Sequence, residues 1–333
     1  MKERSLSGDS ILAQPQLGHK NIWRWLGNVF FDWSVILMAY VFVFSFQTWW
    51  AAFFAIAVIG TRQHALGILS HDGAHWLITN NLKLNDFLTR ALASWPIFLP
   101  LGEYREYHFR HHRFLGTERD PELESKFLEA PAWDIPISPV RLLGIILSDL
   151  TGIGIVWYKR RTILQFFGKR YVHGALDTKT EDTLSGQGGK DVPIESQMFL
   201  YWGLILGVFW YAGMLWVFGI WIFSLLTSCF AVFRLRVWTE HVGTPGTHRF
   251  YATVWQRALF LPHHTWYHFE HHLLPSVPFG NLPLVRAHVI PDVPVITLGK
   301  VFDYFYHSAS IPTGKVLKKS SEGQWFSAHG NNG

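Results

Sequence analysis

Twelve of the eighteen histidines in this chain gather in four short stretches. His64, His71 and His75 lie in HALGILSHDGAH, and His108, His111 and His112 in HFRHH. His241 stands in WTEHVG, and His263, His264, His268, His271 and His272 in HHTWYHFEHH. Imidazole is the commonest metal ligand and suits iron, zinc, copper or nickel. So many ligand-type side chains exceed the needs of one mononuclear site. The clusters therefore predict a pair of metal ions.

The spacing inside each cluster is helical. His71 and His75 are four apart and share a helix face, with His64 seven residues earlier on the same face. His108, His111 and His112 repeat at i, i+3 and i+4 between Pro100 and Gly116, limits that allow about four turns. In the last cluster Pro262 is suited to a first helical position, and one face then recurs at His264, His268, His271 and His272. The doubled pairs His111/His112 and His271/His272, in two matching HxxHH patterns, carry the most information. His64, His263 and His264 are equally well explained as hydrogen-bonding neighbours of the site or helix-surface groups. The isolated His19, His173, His248, His288, His307 and His329 read as polar groups near a membrane surface. Metal-bound imidazoles usually pass their other ring proton to a carboxylate or carbonyl. Asp72, Glu106, Asp120, Glu240 and Glu270 are the acids placed to receive it.

The elements that hold these side chains read as membrane helices. The 333 residues are 49% hydrophobic and only 16% charged, against about 25% charged in an ordinary soluble domain. Mean hydropathy is only +0.13, so part of the chain must face water. A helix needs about 20 apolar residues to cross a bilayer. Residues 29–46 and 48–68 predict two spans with a turn near Gln47. Residues 198–233 contain no Lys, Arg, Asp or Glu over 36 positions, and predict a hairpin of spans 198–214 and 215–233 turning near Gly213. The weaker apolar stretch 142–157 is expected to lie at the interface or under a cap rather than cross. Cys229 is the single cysteine, which excludes an intramolecular disulfide and a cysteine metal cage.

The loops at 47 and 213 carry no basic residue. The remaining Lys and Arg fall in the N-terminal arm (1–28), between residues 83 and 190, or after 233, with Arg62 near the inner end of the second span. The positive-inside rule then places both termini and every histidine cluster on the cytoplasmic face. The expected fold is an all-α integral membrane protein: four transmembrane helices over residues 29–290, under a cytoplasmic helical cap (69–197 and 234–290) that holds a histidine-rich dimetal site. Residues 174–197 read as a polar linker, and 291–333 as a C-terminal extension ending in a loose tail from 312. The pI near 9.2 reflects this charge arrangement, and no nucleic-acid-reading motif accompanies it. The polar N-terminal stretch lacks the charged, apolar, small-residue order of a cleaved signal peptide.

These residues resemble the membrane fatty acid desaturase superfamily. Its three boxes correspond to HDGAH (His71, His75), HFRHH (His108, His111, His112) and HFEHH (His268, His271, His272). RFLGTERDPE resembles the extension after the second box, and LLPSVPFGNLPLVR the proline-bearing tail of bacterial and sphingolipid-type members. His241 matches the extra ligand after the last span. The resemblance covers roughly residues 30–290, and TRQHALGILSHD is similar to rhizobitoxine-type desaturases. It implies two iron ions held by His71, His75, His108, His111, His112, His241, His268, His271 and His272. It also implies dioxygen as co-substrate and no catalytic residue beyond the ligands. The third box opens with histidine rather than glutamine and no cytochrome b5 domain is fused, so electrons are expected from a separate ferredoxin or cytochrome b5-type donor. Val237 stands where acyl-CoA desaturases often carry asparagine, which sets the chain apart from them.

Three other readings compete with a lipid desaturase. A diiron hydroxylase or ketolase acting on a lipid or carotenoid would use the same ligands. A zinc membrane hydrolase needs only three protein ligands and an open position, far fewer than nine histidines. A metal carrier would place its site near the bilayer midplane on broken helices, whereas these clusters lie outside the apolar runs.

Overall fold

Asn21 starts the first helix: its side chain accepts from the Arg24 N–H, and helix α1 runs Ile22–Phe46. The computed structural model describes residues 16–117, 119–129, 133, 135–159, 195–242, 246–288, 295–308, 316–319 and 325–328. Because of that N-cap, α1 begins seven residues before the apolar run at residue 29, inside the expected arm. It ends at Gln47, a left-handed residue with φ 48°. Helix α2, Trp49–Ala74, folds back along α1 and passes Gly67 without a break. The expected turn at Gln47 and the prolongation of the second helix into the first histidine cluster are both present.

Shorter helices follow: α3 Leu82–Thr89, α4 Leu101–Phe114, α5 Pro121–Leu128 and α6 Pro139–Leu150. Helix α7, Ser196–Tyr211, turns at Gly213 (φ 67°) into α8, Leu215–Trp238, which contains a π-helical turn at Leu225–Cys229. Beyond it lie α9 Val254–Leu259, α10 His268–Leu273, α11 Leu282–His288 and α12 Leu298–His307.

Among the described residues, α1, α2 and α8 are the helices long and apolar enough to cross a membrane. The residues expected as the third span form α7, which is charge-free but at 16 residues shorter than the about 20 a bilayer core requires. Only 28% of the apolar window of α1 is buried inside the protein, and Phe30, Leu37, Val41 and Phe44 point outward. Helix α6 is likewise two-sided. Leu142, Ile145 and Asp149 are buried, while Val140, Leu143 and Leu147 are exposed. At 12 residues it cannot cross alone.

Among the described residues, two departures from an all-α fold occur. Arg249–Phe250 (β1) pairs in parallel with Val295–Ile296 (β2). Val316–Lys319 (β3) pairs antiparallel with Trp325–Ala328 (β4), so the tail expected to be loose contains a hairpin. Its strands carry β-favouring Val, Trp and Phe, too few to announce themselves in a polar tail. The linker expected at 174–197 lies outside the described residues up to 194.

The main core joins Trp25, Val29, Ile36 and Ala39 of α1 to Ala55, Ile59, Leu66 and Leu69 of α2, with Trp202 and Trp221 from α7 and α8. Inside it Trp33 stacks on Trp221 at 5.5 Å. A second core gathers α6, the end of α8 and α12 around Trp238, Phe250 and Phe305. Helices α2 and α8 meet at backbone distance. A Cβ on Gly60 would lie 2.6 Å from the Cys229 nitrogen, while Ser228 Oγ donates to the Ile56 carbonyl at 2.6 Å. Gly60→Leu is therefore expected to cost about 3 kcal/mol by overpacking, read as a lowered thermal midpoint in detergent. An unchanged midpoint would show that these helices can part freely.

Candidate metal centre

The first box stands where α2 ends. His75 is the C-cap, and Trp76 follows with φ 56°, an uncommon conformation for a bulky residue. Arg105 of α4 secures that end: its Nε donates to the Ala74 carbonyl at 2.8 Å and its Nη2 to Asp86 at 2.7 Å. Its guanidinium lies 4.1 Å from the Trp76 ring centre. The second box fills the last turns of α4, bounded by Pro100 and by Gly116 at φ 71°. The third box is α10, anchored by fully buried Glu270, which accepts from Arg249 at 2.7 Å and Arg286 at 2.9 Å.

Nine histidines converge in two groups. His71, His75, His108, His112 and His271 form one; His111, His241, His268 and His272 form the other. In each group the ligand-type atoms lie within 4.8 Å of one another. The two HxxHH boxes are divided in opposite senses. The i and i+4 pair His108/His112 joins the first group and His111 the second, whereas His268/His272 join the second group and His271 the first. Neighbours on a helix differ by about 100°, so each doubled histidine straddles the two groups. His112 and His272 stack at 4.3 Å across the boundary.

The donor set fits cations. His241 Nδ1 faces the Gly246 carbonyl at 3.0 Å, which can only accept, so that nitrogen carries the proton and Nε2 the lone pair. His268 Nδ1 faces Glu240 Oε1 at 3.4 Å, an oxygen that also accepts from Arg236 Nε at 2.8 Å. The His268 lone pair is thereby also left on Nε2. These two Nε2 atoms are 2.7 Å apart. Burial holds both rings well below the ordinary histidine pKa, hence neutral. Two lone pairs at that distance repel unless a cation is shared between them. In the other group, the buried Nε2 atoms of His71 and His75 have no hydrogen-bond partner among the described residues. Burial drives His75 down to about 3 and His112 to about 2, keeping both as lone-pair donors.

The supporting acids divide. Asp120 receives His111 Nδ1 at 2.8 Å and Glu240 lies beside His268, 3.4 Å from its Nδ1. Asp72 accepts instead from the Phe279 N–H at 3.2 Å, and Glu270 holds arginines. The burial that favours Glu240 in its neutral form raises it to about 7.

His64, His263 and His264 stay outside both groups. His64 Nε2 is 3.1 Å from the Phe260 carbonyl. His263 and His264 adopt φ of 49° and 63°, so Pro262 does not open a helix and the face expected from His264 does not form. A 3₁₀ turn at Thr265–Tyr267 intervenes before α10. His263 Nε2 meets Asp32 at 2.7 Å, and His264 Nδ1 lies 3.2 Å from the Phe279 carbonyl. His248, expected at a surface, is buried with Nε2 2.9 Å from the Thr239 carbonyl. His173 and His329 lie outside the described residues. Sequence reasoning missed Asp32, a charge inside an apolar run and so a signal in itself. It pairs with Arg62 at 3.1 Å as well as with His263. Glu122 was missed too; its Oε2 lies 3.3 Å from His111 Nε2.

An open cleft of about 280 Å³, lined by His75, Phe109, His112, Pro275 and Ser276, reaches the first group from outside.

Apolar helices of membrane-crossing length beside two convergent imidazole groups define a helical membrane-type histidine-cluster protein. The Fatty acid desaturase family model matches residues 47–299. The chain belongs to that family. It is 28% identical to dihydrorhizobitoxine desaturase of Bradyrhizobium elkanii over 251 residues, covering 71% of this chain and 66% of that protein. It is also 28% identical to the sphingolipid delta(4)-desaturase/C4-monooxygenase DES2 of Homo sapiens over 252 residues, 71% of this chain and 65% of that protein. The chain thus spans just under two thirds of the length of these curated relatives.

Proposed function

We propose that this chain is an oxygen-dependent membrane desaturase that introduces a C=C bond into a fatty-acyl, lipid or other apolar aliphatic chain. Two irons are held by His71, His75, His108, His112 and His271 on one side and by His111, His241, His268 and His272 on the other. The observation that carries this reading is the convergence of nine imidazoles in two groups. Nine donors exceed the three of a zinc hydrolase. Asp120 and Glu240 orient the rings of His111 and His268. The helix pairs α1–α2 and α7–α8 form four spans, with both termini and the metal centre on the cytoplasmic face.

When bound, the irons supply dioxygen activation and removal of hydrogen from an unactivated C–H bond. In the overall balance, –CH2–CH2– plus O2, two electrons and two protons gives –CH=CH– and two waters. The electrons come from a separate ferredoxin or cytochrome b5-type donor. The protein's own residues hold the ions, aim the imidazoles and keep water from the reacting carbons; burial of His108, His111, His241, His268 and His271 serves the last role.

Hydroxylation is a second reading, supported by the human relative, whose name carries both desaturase and monooxygenase activities. Here C–H plus O2, two electrons and two protons gives C–OH and one water. Mass spectrometry of lipids, pigments and polar metabolites tests both readings, in cells that make the wild type or His272→Ala with a reductase system supplied. A product two hydrogens lighter than its precursor, absent in the variant, is the expected result. A product heavier by one oxygen would replace desaturation by hydroxylation, and identical profiles would overturn both.

A further inference from the structure

The two imidazole groups are unequal: five donors in one, four in the other. Neutral imidazoles also bring no negative charge to two cations in a buried site, where unbalanced charge is costly. The acids around the centre are mostly engaged behind or beside it. Asp120 Oδ1 receives His111 Nδ1 and its Oδ2 the Gly116 N–H. Glu240 receives Arg236, Glu270 two arginines, and Asp72 the Phe279 N–H.

Glu122 is placed differently. The segment Asp120–Pro121–Glu122 wraps the His111 ring, with Asp120 at Nδ1 (2.8 Å) and Glu122 Oε2 at Nε2 (3.3 Å). The wrap is built into the backbone. The Glu122 N–H donates at 2.9 Å to the same Asp120 oxygen that receives His111 Nδ1. Pro121 opens α5, and one turn later Lys126 Nζ lies 3.4 Å from Glu122 Oε1. One carboxylate oxygen is thus paired with a lysine, and the other faces the nitrogen that His111 turns toward His241, 3.2 Å away.

We propose that Glu122 supplies an anionic oxygen ligand to the ion held by His111, His241, His268 and His272, giving that group a fifth donor. This rests on the dimetal reading above. Carboxylate oxygen and imidazole together suit iron. A hard anionic donor on one ion only would make the two ions spectroscopically distinct.

The test uses the full chain in detergent, loaded with ⁵⁷Fe(II), as wild type, Glu122→Gln and Lys126→Met. Iron per chain is followed during a chelator challenge, and Mössbauer spectra are recorded before it. The expected result is two ions in the wild type. In Glu122→Gln one of the two is extracted at least tenfold faster and one of two Mössbauer doublets shifts, while Lys126→Met keeps both ions. If Glu122→Gln holds both ions as firmly as the wild type with an unchanged spectrum, Glu122 is not a ligand and this inference falls alone. A wild type that never binds two ions overturns the dimetal reading, and this inference with it. Should Glu122→Gln fail to fold, Glu122→Asp carries the same comparison. It retains the charge but withdraws the carboxylate by one methylene, and unchanged extraction would again overturn the proposal.

Discussion

Alanine at His112 or His272 is expected to lower iron affinity by more than about 100-fold and to abolish turnover, with insertion into the membrane unchanged. His112 Nε2 lies 2.9 Å from both His108 Nε2 and His271 Nε2, and His272 Nε2 lies 3.0 Å from His268 Nε2. Each ring is therefore a full member of its group. Removing a mere hydrogen-bonding neighbour of a ligand typically costs 10–100-fold in affinity, and loss of a donor should exceed that. His263→Ala is the matched control. Its ring nitrogens face Asn28 and Asp32 rather than the groups, so the variant should keep its iron. Iron analysis of the three purified variants decides the matter. Full metal and activity in His112→Ala or His272→Ala would refute the ligand assignment.

The second large effect concerns stability. Arg234→Ala is expected to cost about 3–5 kcal/mol, the range for removing one partner of a buried ion pair. Arg234 near the end of α8 is 1% exposed and donates to Asp149 of α6, which is fully buried, and to Glu129 at 3.3 Å. Without the guanidinium, two buried carboxylates lose the cation that pairs with both. Helix α8 also leads directly into His241, so iron retention should fall along with the thermal midpoint. Substitution of Lys300, whose partnership with Asp303 is largely exposed, should leave both measurements unmoved. A midpoint as insensitive to Arg234 as to Lys300 would show that the network is incidental.

The two histidine groups were legible because helix periodicity is local. HxxHH states which rings share a face without knowledge of the partner helix. The turns at Gln47 and Gly213 were legible from breaks between apolar runs. What could not be read was set by contacts distant in sequence. Pro262 looked like a helix start, but His263 is drawn to Asp32, 231 positions away, and the chain takes two left-handed residues to reach it. Glu270 looked like a partner for histidine, yet Arg249 and Arg286 claim it from other elements. Asp72 turns to Phe279 for the same reason. The role of Glu122 depends on how the Asp120 backbone curls round His111, which spacing alone does not reveal. The pairing of β1 with β2 joins segments of two residues each, too short for any alternation to show.

The unbroken α2 carries one further consequence. At 1.5 Å per residue, His71 stands roughly 33 Å along the helix axis from Trp49 at its start. No hinge lies between them, and Gly67 does not interrupt the helix. The helix therefore acts as a gauge rod. The height of the first histidine group above the far side of the helix bundle is fixed by residue count, and bending cannot adjust it.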